Sequence, residues 1–110
     1  MVGGMKACYF DLESRSVADV VPDHDLFEPA KNVVILTRIN VPQSYRQQGI
    51  GSRLLKEILF DADKEGIKIA LHISSYGEMT YKNLADWYER NGFVQSSNGW
   101  FFREPIREHA

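Results

Sequence analysis

Short apolar runs with alternating or β-branched character dominate the first part of the chain. The runs at 5–12 and 17–21 are separated by a polar stretch, which predicts a β-hairpin. Two prolines bracket the polar segment 22–29 and predict a loop. A third strand is predicted over about 33–41, and Pro42 ends it because proline cannot donate to a sheet ladder.

The apolar spacing then changes to three and four residues, which is the period of an amphipathic helix. A first helix is predicted over about 49–64, with Gly66 as its stop signal. An apolar strand at about 68–74 follows it. A second helix is predicted over about 80–91, with Thr80 as its N-cap.

The last apolar runs flank Asn98-Gly99, and this dipeptide is a strong turn signal. A final hairpin is predicted to pair 92–95 with 100–103, and the tail after Pro105 is expected to fray. The sequence contains no internal repeat and no low-complexity segment.

Composition and charge narrow the classes of protein. The 110 residues suffice for one domain with a single core, and 44% of them are hydrophobic, as in ordinary globular proteins. A net charge of −2 argues against a general binder of nucleic acid or of anionic membranes. No apolar run is long enough to span a bilayer, and the N-terminus lacks the apolar region of a signal peptide. We expect no nucleic-acid partner, no membrane partner and no metal site.

The chain has one cysteine, Cys8, so it cannot form an internal disulfide, which fits a cytoplasmic location. Because Cys8 lies within the apolar run 7–10, it is interpreted as a small buried hydrophobe and not as a nucleophile. Several aromatic residues are likewise interpreted as core and hairpin packing instead of a stacking surface: Trp87, Trp100, Phe101 and Phe102.

The segment from Arg46 to Ser52 is the strongest indication of chemistry. It joins the third predicted strand to the first predicted helix and contains Gly49 and Gly51. Such glycines let the backbone approach a ligand closely, and the first amides of a helix carry the positive end of its dipole. The turn could therefore hold a diphosphate, to which Arg46 would add a cationic fork. Glycines also occur in turns for purely structural reasons, and the segment is neither a P-loop nor a G-x-G-x-x-G motif.

A second motif covers 84–93. Leu84, Trp87 and Tyr88 fall on one helical face, and Gly92 suits the left-handed residue that ends a helix. An apolar strand begins directly after it. The two motifs are thus joined in the order strand, helix, strand, helix, strand.

Together these motifs resemble those of the GNAT superfamily of acetyl-CoA-dependent N-acetyltransferases. The resemblance covers roughly 33–103, and its motifs are Leu36 to Pro42, Tyr45 to Ser52 with Leu54-Leu55, and Trp87 to Phe93. It implies a GNAT-like α/β (α+β) fold, with a mixed, mostly antiparallel sheet and helices on both faces. The single domain would comprise a reduced N-terminal part at 1–32, a core at 33–103 and a tail at 104–110.

The resemblance also implies that acetyl-CoA is the co-substrate and that it binds where the third and fourth strands splay apart. Its pantetheine arm would pair with the backbone of Ile39 and Val41, as if adding a strand. The residues implied at the diphosphate are Arg46, Gln47, Gln48, Gly49, Ile50, Gly51 and Ser52. Tyr88 stands at the family's position for the acid that protonates the departing thiolate. The alternative for Tyr88 is a core aromatic whose hydroxyl reaches solvent or a carbonyl.

Two departures from the family bear on the substrate. Residues 1–32 are short for the usual opening strand, helix pair and two further strands, and in many members the helix pair helps to wall the acceptor site. Many members also have an asparagine seven residues before the tyrosine, where this chain has Tyr81, and Asn83 is out of register. The base that deprotonates the amine stays open among a water chain, His24, Asp25, Glu28 and His72.

The function expected from these features is transfer of an acetyl group to a primary amine on a peptide, protein or small molecule. A non-catalytic acyl-CoA-binding or protein-interaction module with the same fold is one alternative, and an acyltransferase for longer acyl chains is another. Without the helix pair, the acceptor side would be open to an extended peptide-like acceptor or completed by a second copy in a homodimer.

Overall fold

The computed structural model describes residues 5–22, 33–42, 44, 48–73 and 80–106, and its elements follow the predicted order. They are β1 (Cys8–Asp11), β2 (Ser16–Pro22), β3 (Val33–Asn40), α1 (Ile50–Glu65), β4 (Lys68–Leu71), α2 (Tyr81–Arg90), β5 (Val94–Gln95) and β6 (Phe101–Arg103). β2 continues through Pro22, which pairs with Val34, although the sequence predicts a loop from residue 22. The rest of that predicted loop lies outside the described residues.

The six described strands form one sheet in the order β1-β2-β3-β4-β6-β5. β3 and β4 are parallel, and the other neighbouring pairs are antiparallel. The predicted α/β class, with a mixed and mostly antiparallel sheet, is confirmed. α1 forms the crossover that a parallel pair requires.

One detail of the predicted architecture is corrected, because both helices pack on the same face of the sheet. Their buried side chains join one apolar cluster that also contains Val34, Ile69 and Phe101 of the sheet. The indole of Trp87 in α2 also donates a hydrogen bond to Ser52 of α1. The physical reason is chirality. The crossovers from β3 to β4 and from β4 to β5 step in the same direction along the sheet, so right-handed connections place both helices on one side.

A β-bulge in β3 changes where its side chains point. The pairing between β2 and β3 skips Thr37, which lies between the partners of Asp19 and Val20. The Thr37 hydroxyl donates to the carbonyl oxygen of Asp19 at 3.1 Å. Because the extra residue shifts the alternation by one, Leu36 and Ile39 both pack toward the apolar cluster.

A buried ion pair fixes the C-terminal ends of both helices against the sheet. The guanidinium of Arg103, which is 5% exposed, donates hydrogen bonds of 2.7 and 3.1 Å to the carboxylate of Asp63 in α1. Its Nε donates to the carbonyl oxygen of Asn91, the C-cap of α2, at 3.1 Å. Gly92, at φ 94°, lies against the same side chain. Three elements therefore meet at one guanidinium.

Candidate active site

The gap between β3 and β4 is the centre of the candidate site. The parallel register of these strands covers only 33–35 of β3 and 68–70 of β4. β3 then continues to Asn40, paired with β2 on its other side, whereas β4 ends at Leu71. The splay predicted between the third and fourth strands is therefore present, and the C-terminal half of β3 borders it.

The first turn of α1 follows the end of β3 in the chain and carries no side-chain cap. Its N-cap, Gly49, has the left-handed conformation φ 77°, ψ 8°, which favours glycine. The first intrahelical bond runs from the amide of Arg53 to the carbonyl oxygen of Gly49, at 3.0 Å. The amides of Ile50, Gly51 and Ser52 consequently have no intrahelical acceptor, and the turn contains no acidic residue.

α2 shows the contrasting case of a capped helix in the same protein. The hydroxyl of Thr80 accepts a hydrogen bond from the amide of Asn83 at 3.0 Å, as predicted for an N-cap. The first turn of α1 has no such side-chain cap, so its donor amides and the positive end of the helix dipole suit a bound anion. The chemistry of this end suits a diphosphate.

Gly51 brings the first turn of α1 against the end of β3. A Cβ added at Gly51 would lie 3.5 Å from Cγ2 of Val41, which is ordinary van der Waals contact. Gly51 is also not among the glycines with positive φ. Neither packing among the described residues nor backbone conformation requires glycine here, and its missing side chain leaves room for close approach to the backbone of this turn.

Tyr88 lies on the buried face of α2, near the end of β4. It is 9% exposed, and its ring centroid lies 5.5 Å from that of Phe93 and 6.5 Å from that of Phe101. Phe101 pairs with Leu71, the last residue of β4. Burial raises the pKa of Tyr88 to about 12, so its phenol is protonated at neutral pH. Tyr88 therefore packs as a core aromatic and also retains a proton that it can donate.

The contact between Trp87 and Ser52 joins the two helices at the site. The indole Nε1 of Trp87 donates to the hydroxyl oxygen of Ser52 at 3.3 Å. The sequence predicts only core packing for Trp87. Its helical spacing shows which face it occupies, but no local signal shows that its polar edge meets a residue 35 positions earlier.

His72 follows β4 and lies on the face opposite the helices. Leu71 and Ile73 pack with the apolar cluster, whereas His72 is exposed, as their alternation predicts. Its ring centroid lies 5.3 Å from that of Trp100. The other candidate bases, namely His24, Asp25 and Glu28, lie outside the described residues.

The structure describes some of the remaining residues predicted for the site and leaves others outside the described residues. Gln48 is exposed, and its side-chain amide donates to the carbonyl oxygen of Ser44 at 3.5 Å. Arg46 and Gln47 lie outside the described residues. Tyr81 accepts a hydrogen bond from the side chain of Gln95 at 2.7 Å, which links α2 to β5. The structure thus places Val41 beside Gly51 in the first turn of α1, and Trp87, whose ring packs against that of Tyr88, contacts Ser52 in the same turn. Ile39 lies near the end of β3.

A protein-family model for the acetyltransferase (GNAT) domain matches residues 8–95, which is most of the chain. The chain therefore belongs to the GNAT acetyltransferase family, as its motifs predict. The matched residues contain both helices and the splayed strands. A search of curated proteins found no match.

Solved structures with this fold come from several organisms. Arabidopsis thaliana Naa50, in complex with the bisubstrate analogue CoA-Ac-MVNAL, is 23% identical with a TM-score of 0.59, covering 74% of this chain and 51% of Naa50. The ribosomal-protein-S18-alanine N-acetyltransferase of Escherichia coli is 17% identical with a TM-score of 0.60, covering 86% and 63%. Ard1 of Thermoplasma volcanium is 14% identical with a TM-score of 0.59, covering 83% and 63%. At these identities the likeness is one of fold.

The chain matches only 51% to 63% of the length of these structures. In the part of the chain that the structure describes, no helix has the length and apolarity needed to cross a membrane.

Proposed function

We propose that this chain is an N-acetyltransferase that moves the acetyl group of acetyl-CoA to a primary amine. One set of observations carries the proposal: the first turn of α1 has no side-chain cap, β3 continues beyond its pairing with β4, and Trp87, the neighbour of Tyr88 in α2, contacts Ser52 in that turn. An anion site alone would suit many ligands. These three features together suit the diphosphate, the pantetheine arm and the thioester sulfur of one acyl-CoA.

Binding of acetyl-CoA would use backbone groups more than side chains. The diphosphate would accept hydrogen bonds from the amides at 50–52, where Gly51 leaves room for it. We propose that Arg46, Gln47 and Gln48 contribute to the same subsite. The pantetheine arm would pair with the backbone of Ile39 and Val41, beyond the point where β4 stops pairing with β3.

The proposed reaction breaks the thioester C–S bond and forms an amide. The neutral amine nitrogen attacks the carbonyl carbon, the sulfur departs with the bonding electrons, and the nitrogen loses a proton. Tyr88 gives its phenolic proton to the departing sulfur, a role that suits a phenol kept protonated by its surroundings. Its proton is then restored from solvent.

His72 is our candidate for the group that takes the proton from the amine. It directly follows β4 at the gap and lies on the face opposite Tyr88, so acid and base would approach the reacting atoms from opposite sides. His72→Ala should lower the rate at saturating substrates and leave CoA affinity unchanged, and added imidazole should restore part of the rate. His109→Ala, which removes the same side chain from the tail at 104–110, is the matched control. Equal loss in both variants would assign the proton transfer elsewhere.

The acceptor is proposed to be the amine of a peptide or protein. Without a helix pair among the described residues before β3, the acceptor side can receive an extended chain or be completed by a second copy. The structural relatives include an enzyme named for the alanine of a ribosomal protein and one bound to a peptide-containing bisubstrate analogue. Peptides with free α-amines are therefore the first acceptors to test, ahead of polyamines.

Thiol release from acetyl-CoA, measured against a panel of peptides, proteins and small amines, tests the proposal. Turnover that depends on both substrates and falls in Tyr88→Phe is expected. CoA binding without turnover on any acceptor would support the alternative, a non-catalytic acyl-CoA-binding module. Faster turnover of longer acyl-CoAs would identify a different acyltransferase.

A further inference from the structure

We infer that Trp87 is a positioning residue for CoA, because its indole N–H orients the Ser52 hydroxyl so that this hydroxyl donates to the diphosphate. The inference rests on the proposed function, since it concerns the same anion subsite. It adds a direct link from α2, which carries the proposed acid, to the start of α1.

The direction of the hydrogen bond carries the first step. An indole N–H is only a donor, so the Ser52 oxygen must be the acceptor in the 3.3 Å contact. A serine hydroxyl has one hydrogen of its own, and no described residue accepts it. Among the described residues, the hydrogen of Ser52 is therefore left for another acceptor at the first turn of α1, where the amides of 50–52 also have no intrahelical acceptor.

Rigidity of the indole carries the second step. Trp87 is half-buried against the apolar cluster, and its ring centroid lies 5.0 Å from that of Tyr88. Its own carbonyl oxygen accepts from the side chain of Asn91 at 2.8 Å. Because packing holds the indole, its N–H can hold one lone pair of Ser52. Without the indole N–H, the hydroxyl of a serine in a helix tends to donate to a backbone carbonyl oxygen of the preceding turn.

A double-mutant cycle tests the inference, with calorimetry measuring the binding of CoA and of pantetheine, which lacks the diphosphate. Ser52→Ala should weaken CoA binding by about tenfold, as for loss of a hydrogen bond to a charged group. Trp87→Phe keeps the packing but removes the N–H, and it should cause a loss of similar size. The double variant should be no weaker than Ser52→Ala, and Ser52→Thr should bind CoA nearly as well as the unsubstituted chain.

Several results would overturn the inference. These are additive losses in the double variant, or equal losses for CoA and pantetheine in Trp87→Phe.

Fluorescence gives a second test that leaves Trp87 in place. The chain has two tryptophans, so Trp100→Phe makes Trp87 the sole reporter. CoA should then change its emission, and Ser52→Ala should remove most of that change. An unchanged emission with CoA bound would contradict the inference, whereas a chain that binds no CoA at all would refute the proposed function itself.

Discussion

Gly49 and Gly51 belong to one turn, but they are glycine for different reasons. Gly49 has a left-handed conformation, so Gly49→Ala should destabilise the ligand-free protein by about 1–2 kcal/mol. Gly51 has no such conformation and has room for a Cβ, so Gly51→Ala should leave stability unchanged or slightly raised, since alanine favours helix. Urea unfolding measures both effects.

The same pair of variants separates folding from binding. Gly51→Ala should weaken CoA binding in calorimetry while its unfolding midpoint stays at or above that of the unsubstituted chain. A Gly51→Ala variant that binds CoA normally would show that the diphosphate does not approach this turn.

Tyr88→Phe tests the proposed acid. The ring remains, so packing should survive, while turnover should fall by about 10²-fold because a positioned proton donor is lost. CoA affinity should change little, since the proton is needed only in the transition state. Turnover and CoA binding measured on the same preparation decide the point, and near-normal turnover would remove Tyr88 from the mechanism if the chemical step limits the rate.

The pH dependence of Tyr88 follows from its burial. Its pKa is raised to about 12, so the donor form should persist beyond pH 10, where an ordinary tyrosine ionises. The stability that Tyr88 contributes is complete below about pH 10 and is lost as pH rises toward 12. When tyrosinate absorbance is followed as a function of pH, Tyr88→Phe should show one fewer tyrosine with a raised pKa than the unsubstituted protein. Ionisation of that group near pH 10 would contradict the burial argument.

At the scale of elements, local signals predicted the helices and strands well. Thr80, Gly66 and the Asn98-Gly99 turn mark ends that the structure confirms, because caps and turns depend on neighbours a few residues away. The placement of both helices on one face was not predictable from these signals, since it depends on strand order. The bonds of Trp87 and Arg103 join residues 35 and 40 positions apart, and spacing within one helix or strand does not indicate them.

The candidate site was predictable to a different degree. The glycine turn and Tyr88 were indicated by motifs and by family resemblance. The local sequence around Ser52 gave no sign that another helix would bond its hydroxyl. The roles of Ile39 and Val41 stay predictions, because they concern backbone contacts with a ligand.

The Arg103–Asp63 pair should stabilise the junction of α1, α2 and β6. Asp63→Asn leaves a buried guanidinium without its carboxylate and should cost about 3 kcal/mol in the free energy of unfolding. The exposed pair Lys82–Asp86 is the matched control, and Asp86→Asn should cost less than about 0.5 kcal/mol. Urea unfolding at neutral pH compares them, and equal costs would show that burial does not strengthen the first pair.

The same pair gives the protein an acid-sensitive junction. Burial alone would raise the pKa of Asp63, but the hydrogen bonds from Arg103 and from the amide of Ile106, with the Arg103 charge, outweigh it and lower the pKa. The associated stability is therefore complete above the ordinary aspartate pKa of about 4 and is lost as pH falls through the lower folded value. Asp63→Asn should flatten the acid limb of the stability curve. An unchanged limb would assign acid sensitivity to other carboxylates.

At the scale of the whole molecule, ligand binding should be visible as stability. A ligand that binds only the folded state at 100 times its Kd adds about 2.7 kcal/mol, so saturating acetyl-CoA should raise the melting temperature by several degrees. Pantetheine, which lacks the diphosphate, should raise it less. No shift at millimolar acetyl-CoA would count against the proposed function as a whole.

The second whole-molecule question is the sheet face without a described helix. Tyr9 and Val20 join the apolar cluster, so Phe10 and Val21, which follow them, point to the other face, where they are 57% and 42% exposed. If a second copy completes the acceptor side there, light scattering should show a dimer that Phe10→Ser weakens. A monomer at high concentration that acetylates peptides would favour the open acceptor side instead.

Thr37 has a consequence for how insertions and deletions would act on this protein. In an uninterrupted strand, one extra residue would turn every later side chain to the opposite face and every later amide to the opposite neighbour. The bulge at Thr37 absorbs that change, because pairing with β2 continues regularly after it. Deleting Thr37 would restore an uninterrupted ladder between β2 and β3, and the regular strand could be as stable as the natural one. Ile39 would keep Ala18 as its partner and stay on the face of Leu36, so the backbone edge that borders the gap would be kept. Deleting Arg38 as well would turn Ile39 away from the core and exchange that edge. The number of residues in this part of β3, more than their identity, therefore decides whether the chain can present that edge to a ligand.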